Sequence, residues 1–137
     1  MNKFHLTIVT MDGCAYDGEV ESVSIRSTEG AVTVLHGHVN FLTSVGMGPA
    51  NIMIDGKHRY AACIGGVFSM INNDAKLIAT TFEWADEIDL ERAKNALKRA
   101  EDKLASGELS ETAKGLVEAK RRRALVRISC AALKDKE

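Results

Sequence analysis

Proline, aromatic residues and cysteine are all scarce in this sequence. Its 137 residues include one proline and three cysteines, and aromatic residues make up 5% of the chain. With so few aromatic rings, a hydrophobic core must be built mainly from Val, Ile, Leu, Met and Ala. Cys14, Cys63 and Cys130 are odd in number, widely spaced and without a CxxC pair. We therefore expect reduced, mostly buried thiols, and neither a disulfide framework nor a zinc site.

Long apolar runs and a strong excess of one charge are also missing. No stretch approaches the ~18 apolar residues that a membrane-spanning helix requires. Residues 1–10 alternate in polarity, unlike the apolar core of a signal peptide. The net charge of −1 argues against a general binder of polyanions. We expect a cytoplasmic protein, or one peripheral to a membrane, with no direct membrane insertion and no nucleic-acid partner.

The sequence offers no catalytic or metal-binding pattern. His36 and His38 share a face if they lie on a strand, but a third and fourth metal ligand are missing nearby. Loop histidines in a polar contact surface are the favoured interpretation. Cys14 has no identifiable base partner, and the chain contains no Gly-rich phosphate loop. We therefore predict a protein that is not an enzyme by itself, with no metal and no required cofactor.

The first part of the chain, residues 1–85, has the pattern of short β-strands. Apolar and polar residues alternate or β-formers cluster in seven runs: 4–8, 23–26, 31–35, 50–54, 58–64, 67–71 and 75–81. Turn signals separate these runs: Asp12-Gly13, Asp17-Gly18, Glu29-Gly30, Asp55-Gly56, Gly65-Gly66 and Asn72-Asn73-Asp74. Such spacing predicts an antiparallel β-sandwich or barrel, with its clearest hairpin at Asp55-Gly56. Pro49 is placed just before a strand.

Helical periodicity takes over in residues 86–137. Apolar residues recur at spacings of three and four along one helical face: Leu90, Ala93, Leu97, Ala100 and Leu104. Ser106-Gly107 ends this helix and Ser110 begins a second one. The short link predicts an antiparallel helical hairpin. The fold class is thus a two-domain α+β chain, and the alanine-rich hairpin should pack only weakly on the sandwich.

Two ordered motifs resemble the epsilon subunits of bacterial and chloroplast ATP synthases. Residues 29–43, with Glu29-Gly30, Val34-Leu35-His36-Gly37-His38 and Leu42-Thr43, are similar to the family's strand-loop motif. Gly65-Gly66-Val67-Phe68, followed by Asn73 and residues 76–81, is similar to its Gly-Gly strand pair. The resemblance covers essentially the whole chain. The sequence departs from the family at Thr33, where Gly is usual, and at His36 and Asn40, where Pro is usual.

The resemblance implies a non-catalytic central-stalk subunit of a proton-translocating F-type ATP synthase, peripheral on the cytoplasmic face of the cell membrane. Its partners would be the gamma subunit, the membrane rotor ring of c subunits, and the alpha and beta subunits. The subunit would couple rotation between ring and catalytic head, and its hairpin would inhibit ATP hydrolysis. The residues expected at the gamma and ring contact are Glu29, Gly30, His36, His38, Phe41 and Leu42.

The start of the hairpin matches the I-D-x-x-R-A pattern that marks a nucleotide site in ATP-binding members of the family. Arg92 and Arg99 are seven apart, so both guanidinium groups can reach phosphate oxygens from one helix face. ATP would be a regulatory ligand held by eight residues: Glu83, Ile88, Asp89, Arg92, Ala93, Arg99, Arg123 and Arg127. A plainer alternative is that Asp89 only caps the helix and pairs with Arg92.

The second helix carries a run of cations that favours an acidic partner. In the family, this helix meets an acidic stretch of the beta subunit when the hairpin extends. The corresponding residues here are Lys120, Arg121, Arg122, Arg123 and Arg127. A solvated helix face is the plain alternative; nucleic-acid binding is disfavoured because no aromatic residue interleaves with the run. The rival interpretation of the whole chain is a free-standing β-sandwich adaptor with a dimerising hairpin, followed by a metal-binding β-barrel enzyme.

Overall fold

The computed structural model describes residues 2–133 as seven strands followed by two helices. The strands are β1 (Phe4–Thr10), β2 (Gly13–Val20), β3 (Ser22–Ser27), β4 (Gly30–Leu35), β5 (Phe41–Ile54), β6 (Lys57–Ile71) and β7 (Asp74–Trp84). A 3₁₀ turn (Ala85–Glu87) leads to α1 (Leu90–Ser106) and α2 (Glu111–Leu133). The α+β class with a β-sandwich before a helical hairpin is confirmed. Residues 1 and 134–137, at the two ends of the predicted domains, lie outside the described part of the chain.

The strands form one continuous bent sheet in the order β2-β1-β7-β6-β5-β3-β4. Neighbouring strands are antiparallel except for β1 and β7, which run parallel with His5 opposite Asp74. Phe4, Leu6 and Ile8 alternate into the core, as the sequence pattern predicts. The core is largely aliphatic, joined by Phe4, Phe68 and Trp84. The sandwich core is thus built mainly from aliphatic side chains, as the scarcity of aromatic residues in the sequence predicts.

Two predicted turns are wrong, because the glycines at these positions lie inside continuous strands. Gly65 and Gly66 lie inside β6, so the runs 58–64 and 67–71 form one strand, in register with β7 on both sides. Their φ angles of 70° and 128° kink the strand. Asp17-Gly18 lies inside the edge strand β2, opposite Thr7 and Leu6. Strand β2 and the first half of β5 were not predicted at all.

Pro49 lies within β5 and does not precede a strand. The pairing between β3 and β5 includes Ser24 with Asn51 and Ser27 with Val45, and skips the residues between. Pro49 falls in that gap, so its missing N–H removes no bond to β3. Asp55-Gly56 does form the predicted tight turn, between β5 and β6, with positive φ at both residues.

The helical hairpin packs down on the sandwich through small side chains. The helices bury Ala93, Ala100, Val117 and Ala124. Near its C-terminal end, α2 joins a cluster with the sandwich: Ala62, Ala85, Ile88, Cys130 and Ala131. The Cys130 thiol donates to the main-chain oxygen of Ala61 at 3.3 Å. Ile88 is the one large side chain among the buried members, and burying such a side chain contributes roughly 1.5–3 kcal/mol; Tyr60, Leu90 and Val126 pack on the cluster while partly exposed.

The second helix begins where the sequence predicts, whereas the first begins at Leu90, after a 3₁₀ turn that occupies the start of the predicted helical stretch. The Asp89 carboxylate accepts a hydrogen bond from the Arg92 N–H at 3.1 Å and caps α1. The Ser110 hydroxyl accepts from the Ala113 N–H at 3.2 Å at the start of α2. Gly107 ends α1 with φ of 70°, the left-handed conformation that glycine adopts without steric cost. No helix in the described range is long and apolar enough to cross a membrane.

Candidate functional site

A cleft of about 480 Å³ opens between the end of β7, the start of α1 and one side of α2. It gathers seven of the eight residues predicted to bind nucleotide. These are Glu83, Ile88, Asp89, Arg92, Ala93, Arg99 and Arg127, and the lining is completed by Glu87 and Ala96. The residues come from the end of β7, the start of α1 and, more than 25 residues further along the chain, α2. The cleft therefore exists as such only while the hairpin lies on the sandwich.

Helical geometry explains how α1 presents its side of the cleft. Arg92, Ala96 and Arg99 follow one another at spacings of four and three, so they share one face. Ala93 and Ala96 leave space between the longer side chains, and Ile88 supplies an apolar surface that is 8% exposed. Acidic groups lie at the sandwich end of the cleft and guanidinium groups extend along the helices.

Asp89 acts as the helix cap that the plainer alternative anticipated. Its Oδ1 accepts the Arg92 main-chain N–H, and no ion pair joins the two side chains within the described residues. The second carboxylate oxygen, Oδ2, is not used by the cap. Capping and ligand binding are thus compatible, because the cap uses one oxygen of a carboxylate that lines the cleft.

Glu83 and Arg127 close the cleft from opposite sides. Arg127 Nε donates to Glu83 Oε1 at 2.5 Å, and the two side chains are 29% and 35% exposed. This contact connects the end of β7 to α2 across 44 residues of sequence. The pair holds the hairpin to the sandwich and places a carboxylate against a guanidinium that was predicted to bind phosphate.

Arg123, the eighth predicted residue, lines a neighbouring groove between α1 and α2. This groove has a volume of about 320 Å³ and shares Ala96, Arg99 and Arg127 with the first cleft. Its other lining residues are Ala100, Lys103, Val117, Lys120 and Arg123. Lys103 was missed by the sequence analysis, although its position four residues after Arg99 places it on the same helix face.

The basic run of α2 does not form one surface in the folded hairpin. Arg122 is exposed outside the interhelical groove, whereas Arg123 and Arg127 line the groove and Lys120 borders it from an exposed position. Arg121 pairs with Glu118 at 3.0 Å and lies 3.9 Å from Glu101. Successive helical residues point about 100° apart, so a run of four cations must spread around the helix. Of the five residues predicted to meet an acidic partner, Arg121 and Arg127 already form ion pairs within the docked hairpin and with the sandwich.

The loop between β4 and β5 and the first residues of β5 carry four of the six residues predicted to contact gamma and the ring. The His38 ring packs against Phe41 at a tilt of 45°, with ring centroids 4.9 Å apart, and Leu42 is 71% exposed. The loop is fastened to the β6–β7 turn, where the Gly37 N–H donates to Asn73 Oδ1 at 2.7 Å. His36 is exposed in the same loop.

Glu29 and Gly30 lie in the turn between β3 and β4, at the other end of β4 from His36. The Thr28 N–H donates to the Ser44 oxygen at 3.1 Å, which brings this turn beside the first half of β5. Leu42 is two residues from Ser44. The predicted contact residues therefore fall in two groups that both border the start of β5.

Exposed aliphatic side chains on the outer face of the sheet were missed by the sequence analysis. Val67 and Ile78 are direct cross-strand neighbours and are 42% and 53% exposed. Ile71 and Val39 are also exposed, at 55% and 74%. The signal was available in the sequence, because Val67 and Ile78 are out of phase with the core positions Phe68 and Leu77. An apolar outer face is typical of a surface that contacts a partner.

The three cysteines occupy three different environments. Cys14 is exposed, Cys63 belongs to the sandwich core and Cys130 to the hairpin cluster. Burial raises the pKa of Cys63 to about 12 and that of Cys130 to about 11, with nearby Glu83 adding to the latter. Within the described residues, no group of three or more His, Cys, Asp and Glu side chains is placed to hold a metal ion.

Both parts of the chain match known families. Residues 3–85 match the ATP synthase delta/epsilon chain β-sandwich domain, and residues 86–132 match the delta/epsilon chain long α-helix domain. The ATP synthase epsilon chain of Alkaliphilus oremlandii is 36% identical over 107 residues, 78% of this chain and 80% of that one. The ATP synthase epsilon chain of Clostridium kluyveri is 40% identical over 101 residues, 73% of this chain and 76% of that one.

Solved structures show the same fold. A chain of the Euglena gracilis mitochondrial ATP synthase superposes with a TM-score of 0.81 at 22% identity, covering 96% of this chain and 81% of that one. A chain of the Tetrahymena thermophila mitochondrial ATP synthase, from its central stalk and c-ring, superposes with a TM-score of 0.63 at 11% identity. The second comparison covers 95% of this chain and 97% of that one.

Proposed function

This chain belongs to the ATP synthase delta/epsilon chain family, and we propose that it is a central-stalk subunit whose helical hairpin restrains rotation under the control of bound ATP. It is a non-catalytic subunit of the enzyme complex. The sandwich attaches to the gamma subunit and the rotor ring, at the cytoplasmic face of the cell membrane. The hairpin moves between the docked position and an extended one that reaches the alpha and beta subunits.

One observation carries the proposal: the candidate nucleotide residues meet only across the docked interface. Glu83 comes from the sandwich, Arg92 and Arg99 from α1, and Arg127 from α2. Undocking the hairpin separates Glu83 from Arg127. A ligand that contacts these groups together binds the docked state better than the extended one, and so it shifts the population toward docking.

The magnitudes allow ATP to act as a switch. The fully buried contacts of the docked hairpin are Ile88 and four small side chains; the partly buried Tyr60, Leu90 and Val126 and the Glu83–Arg127 ion pair add to them. A ligand present at 100 times its Kd stabilises the state it binds by about 2.7 kcal/mol. That is comparable to burying one large aliphatic side chain, roughly 1.5–3 kcal/mol. A single bound nucleotide can therefore decide which position the hairpin occupies.

The same arginines support mutually exclusive roles. Arg123 and Arg127 line the groove in the docked hairpin and also belong to the basic set expected to meet the beta subunit. When these guanidinium groups contact phosphate, they are withdrawn from an acidic partner. ATP thus opposes the inhibitory contact in two ways, by favouring docking and by neutralising the cations that the extended helix presents.

Calorimetric titration of the full chain with ATP, with and without magnesium, tests the proposal. We expect one ATP per chain, and we expect Arg92→Ala together with Arg99→Ala to remove the binding. Lys94→Ala is the matched control, because Lys94 is an exposed cation of α1 that lines neither cleft. Retained ATP affinity in the double arginine variant would assign the site elsewhere.

A further inference from the structure

The groove between the helices continues the candidate nucleotide cleft away from the sandwich. Its floor is Ala96, Ala100 and Val117, and its walls are five cationic side chains: Arg99, Lys103, Lys120, Arg123 and Arg127. None of its lining residues is acidic, whereas the first cleft contains Glu83, Glu87 and Asp89. The combined site is therefore polarised, with carboxylates at one end and cations alone at the other.

The cations form two rows that advance in the same direction. Lys103 is one turn beyond Arg99 on α1, about 6 Å further from the sandwich at 1.5 Å per residue. Because α2 runs back toward the sandwich, Lys120 lies beyond Arg123 in that same direction. The two lysines thus stand at the far end of the groove, past every arginine that the nucleotide pattern includes.

Four of these five cations form no ion pair with a described residue. Among residues 2–133, an ion pair within 4 Å is formed by Arg127 with Glu83, but not by Arg99, Lys103, Lys120 or Arg123. Like charges that share one groove repel each other, and a multivalent anion bound between them attracts each of them and offsets that repulsion. The arrangement fits a chain of phosphoryl groups, which carries several charges along one line.

We propose that Lys103 and Lys120 form a distal phosphate subsite, which makes the groove sensitive to the length of a nucleoside polyphosphate. This inference rests on the proposed function and deepens it. The nucleoside occupies the acidic end, and the arginines hold the nearer phosphates with their fixed fork geometry. The lysines supply mobile point charges for the terminal phosphate, so each added phosphoryl group gains a contact.

The test is calorimetric titration of the full chain with adenosine mono-, di-, tri- and tetraphosphate in the absence of magnesium. Affinity should rise along the series, by about fivefold from the triphosphate to the tetraphosphate. Lys103→Gln with Lys120→Gln should abolish that last gain and leave adenosine diphosphate within about twofold of its original affinity. Lys94→Gln with Lys98→Gln removes the same charge from exposed positions outside the groove and should keep the gain.

The outcomes separate this inference from the proposed function. Equal affinity for triphosphate and tetraphosphate, or an unchanged gain in the Lys103/Lys120 variant, overturns the subsite while ATP binding stands. Failure of all four nucleotides to bind overturns both. Inorganic tetraphosphate serves as a further arm. Affinity equal to that of adenosine tetraphosphate, lost in the Lys103/Lys120 variant, upholds the phosphate subsite and contradicts recognition of the adenosine.

Discussion

Arg127 Nε lies 2.5 Å from Glu83 Oε1, and this ion pair joins α2 of the hairpin to the last strand of the sandwich. Both side chains are about one-third exposed. The contact belongs to the docked hairpin alone, because the two residues share no element and are 44 positions apart. Glu83 thus fixes the position of Arg127 in the docked hairpin.

Glu83→Gln should loosen the docked hairpin. The substitution keeps the shape of the side chain but removes its charge, and a partly exposed pair of this kind contributes about 1 kcal/mol. We expect the hairpin to open about fivefold more often. Amide hydrogen exchange in the C-terminal half of α2 measures this opening. Asp102→Asn is the control, since Asp102 is exposed on α1, and unchanged exchange in Glu83→Gln would contradict a tethering role for the pair.

Gly66→Ala should destabilise the sandwich severely, whereas Gly115→Ala should not. A Cβ at Gly66 would lie 2.1 Å from the main-chain oxygen of Ile78, and φ there is 128°. We expect a loss of more than about 2 kcal/mol, because both the clash and the backbone conformation are unfavourable. Gly115 in α2 has no atom within 4 Å of an added Cβ. Urea unfolding monitored by Trp84 fluorescence reports the sandwich and should shift to lower urea only for Gly66→Ala.

Docking of the hairpin should weaken in alkaline solution. Burial raises the pKa of Cys130 from 9.0 to about 11, with Glu83 adding to the shift. The docked state therefore favours the protonated thiol, so its stabilising contribution is complete below pH 9 and is lost as pH rises toward 11. Hydrogen exchange of α2 across this range measures the effect. Cys130→Ser keeps a hydrogen-bond donor for the Ala61 oxygen but does not ionise. The variant should therefore lose the part of the pH dependence that comes from the thiol and keep the part that comes from other titrating groups.

Deletion of residues 87–137 should preserve assembly of the complex and raise its ATP hydrolysis. The sandwich core is formed without the hairpin, since its buried residues run from Phe4 to Trp84. A shorter deletion that begins at residue 108 keeps α1 and removes the basic helix, and it should raise hydrolysis to the same extent. Steady-state ATPase assays of the assembled complex measure both. Unchanged hydrolysis after either deletion would count against an inhibitory hairpin.

The local pattern of the sequence predicts the elements better than their arrangement. Alternation at Phe4, Leu6 and Ile8 and the caps Asp89 and Ser110 are properties of neighbouring residues, and they were predicted correctly. Gly65-Gly66 predicts a turn from local pattern alone, but glycine also permits a kink within a continuous strand, and that is what β6 shows. The parallel pairing of β1 with β7 joins distant parts of the chain, and no local signal carries it.

In the candidate site, too, some features follow from local sequence and others depend on tertiary packing. The spacing of Arg92 and Arg99 on one helix face follows from helical period, and so does the position of Lys103. The approach of Arg127 to Glu83 depends on how α2 packs on the sandwich, which only tertiary contacts determine. Likewise, the basic run looked uniform in sequence, yet Arg121 is paired with Glu118 while Lys120 is exposed.

The rate at which Cys130 reacts with a thiol reagent, as ATP is titrated, tests the central claim most directly. In a Cys14→Ser background two thiols remain, and Cys130 becomes accessible when the hairpin opens, whereas Cys63 requires the sandwich core to open. If ATP binds the docked hairpin, the labelling of Cys130 should slow by a factor of 1 + [ATP]/Kd, while Cys63 stays unreactive. The double variant Arg92→Ala, Arg99→Ala should show no slowing. Equal labelling of Cys130 with and without bound ATP would contradict control of the hairpin by nucleotide.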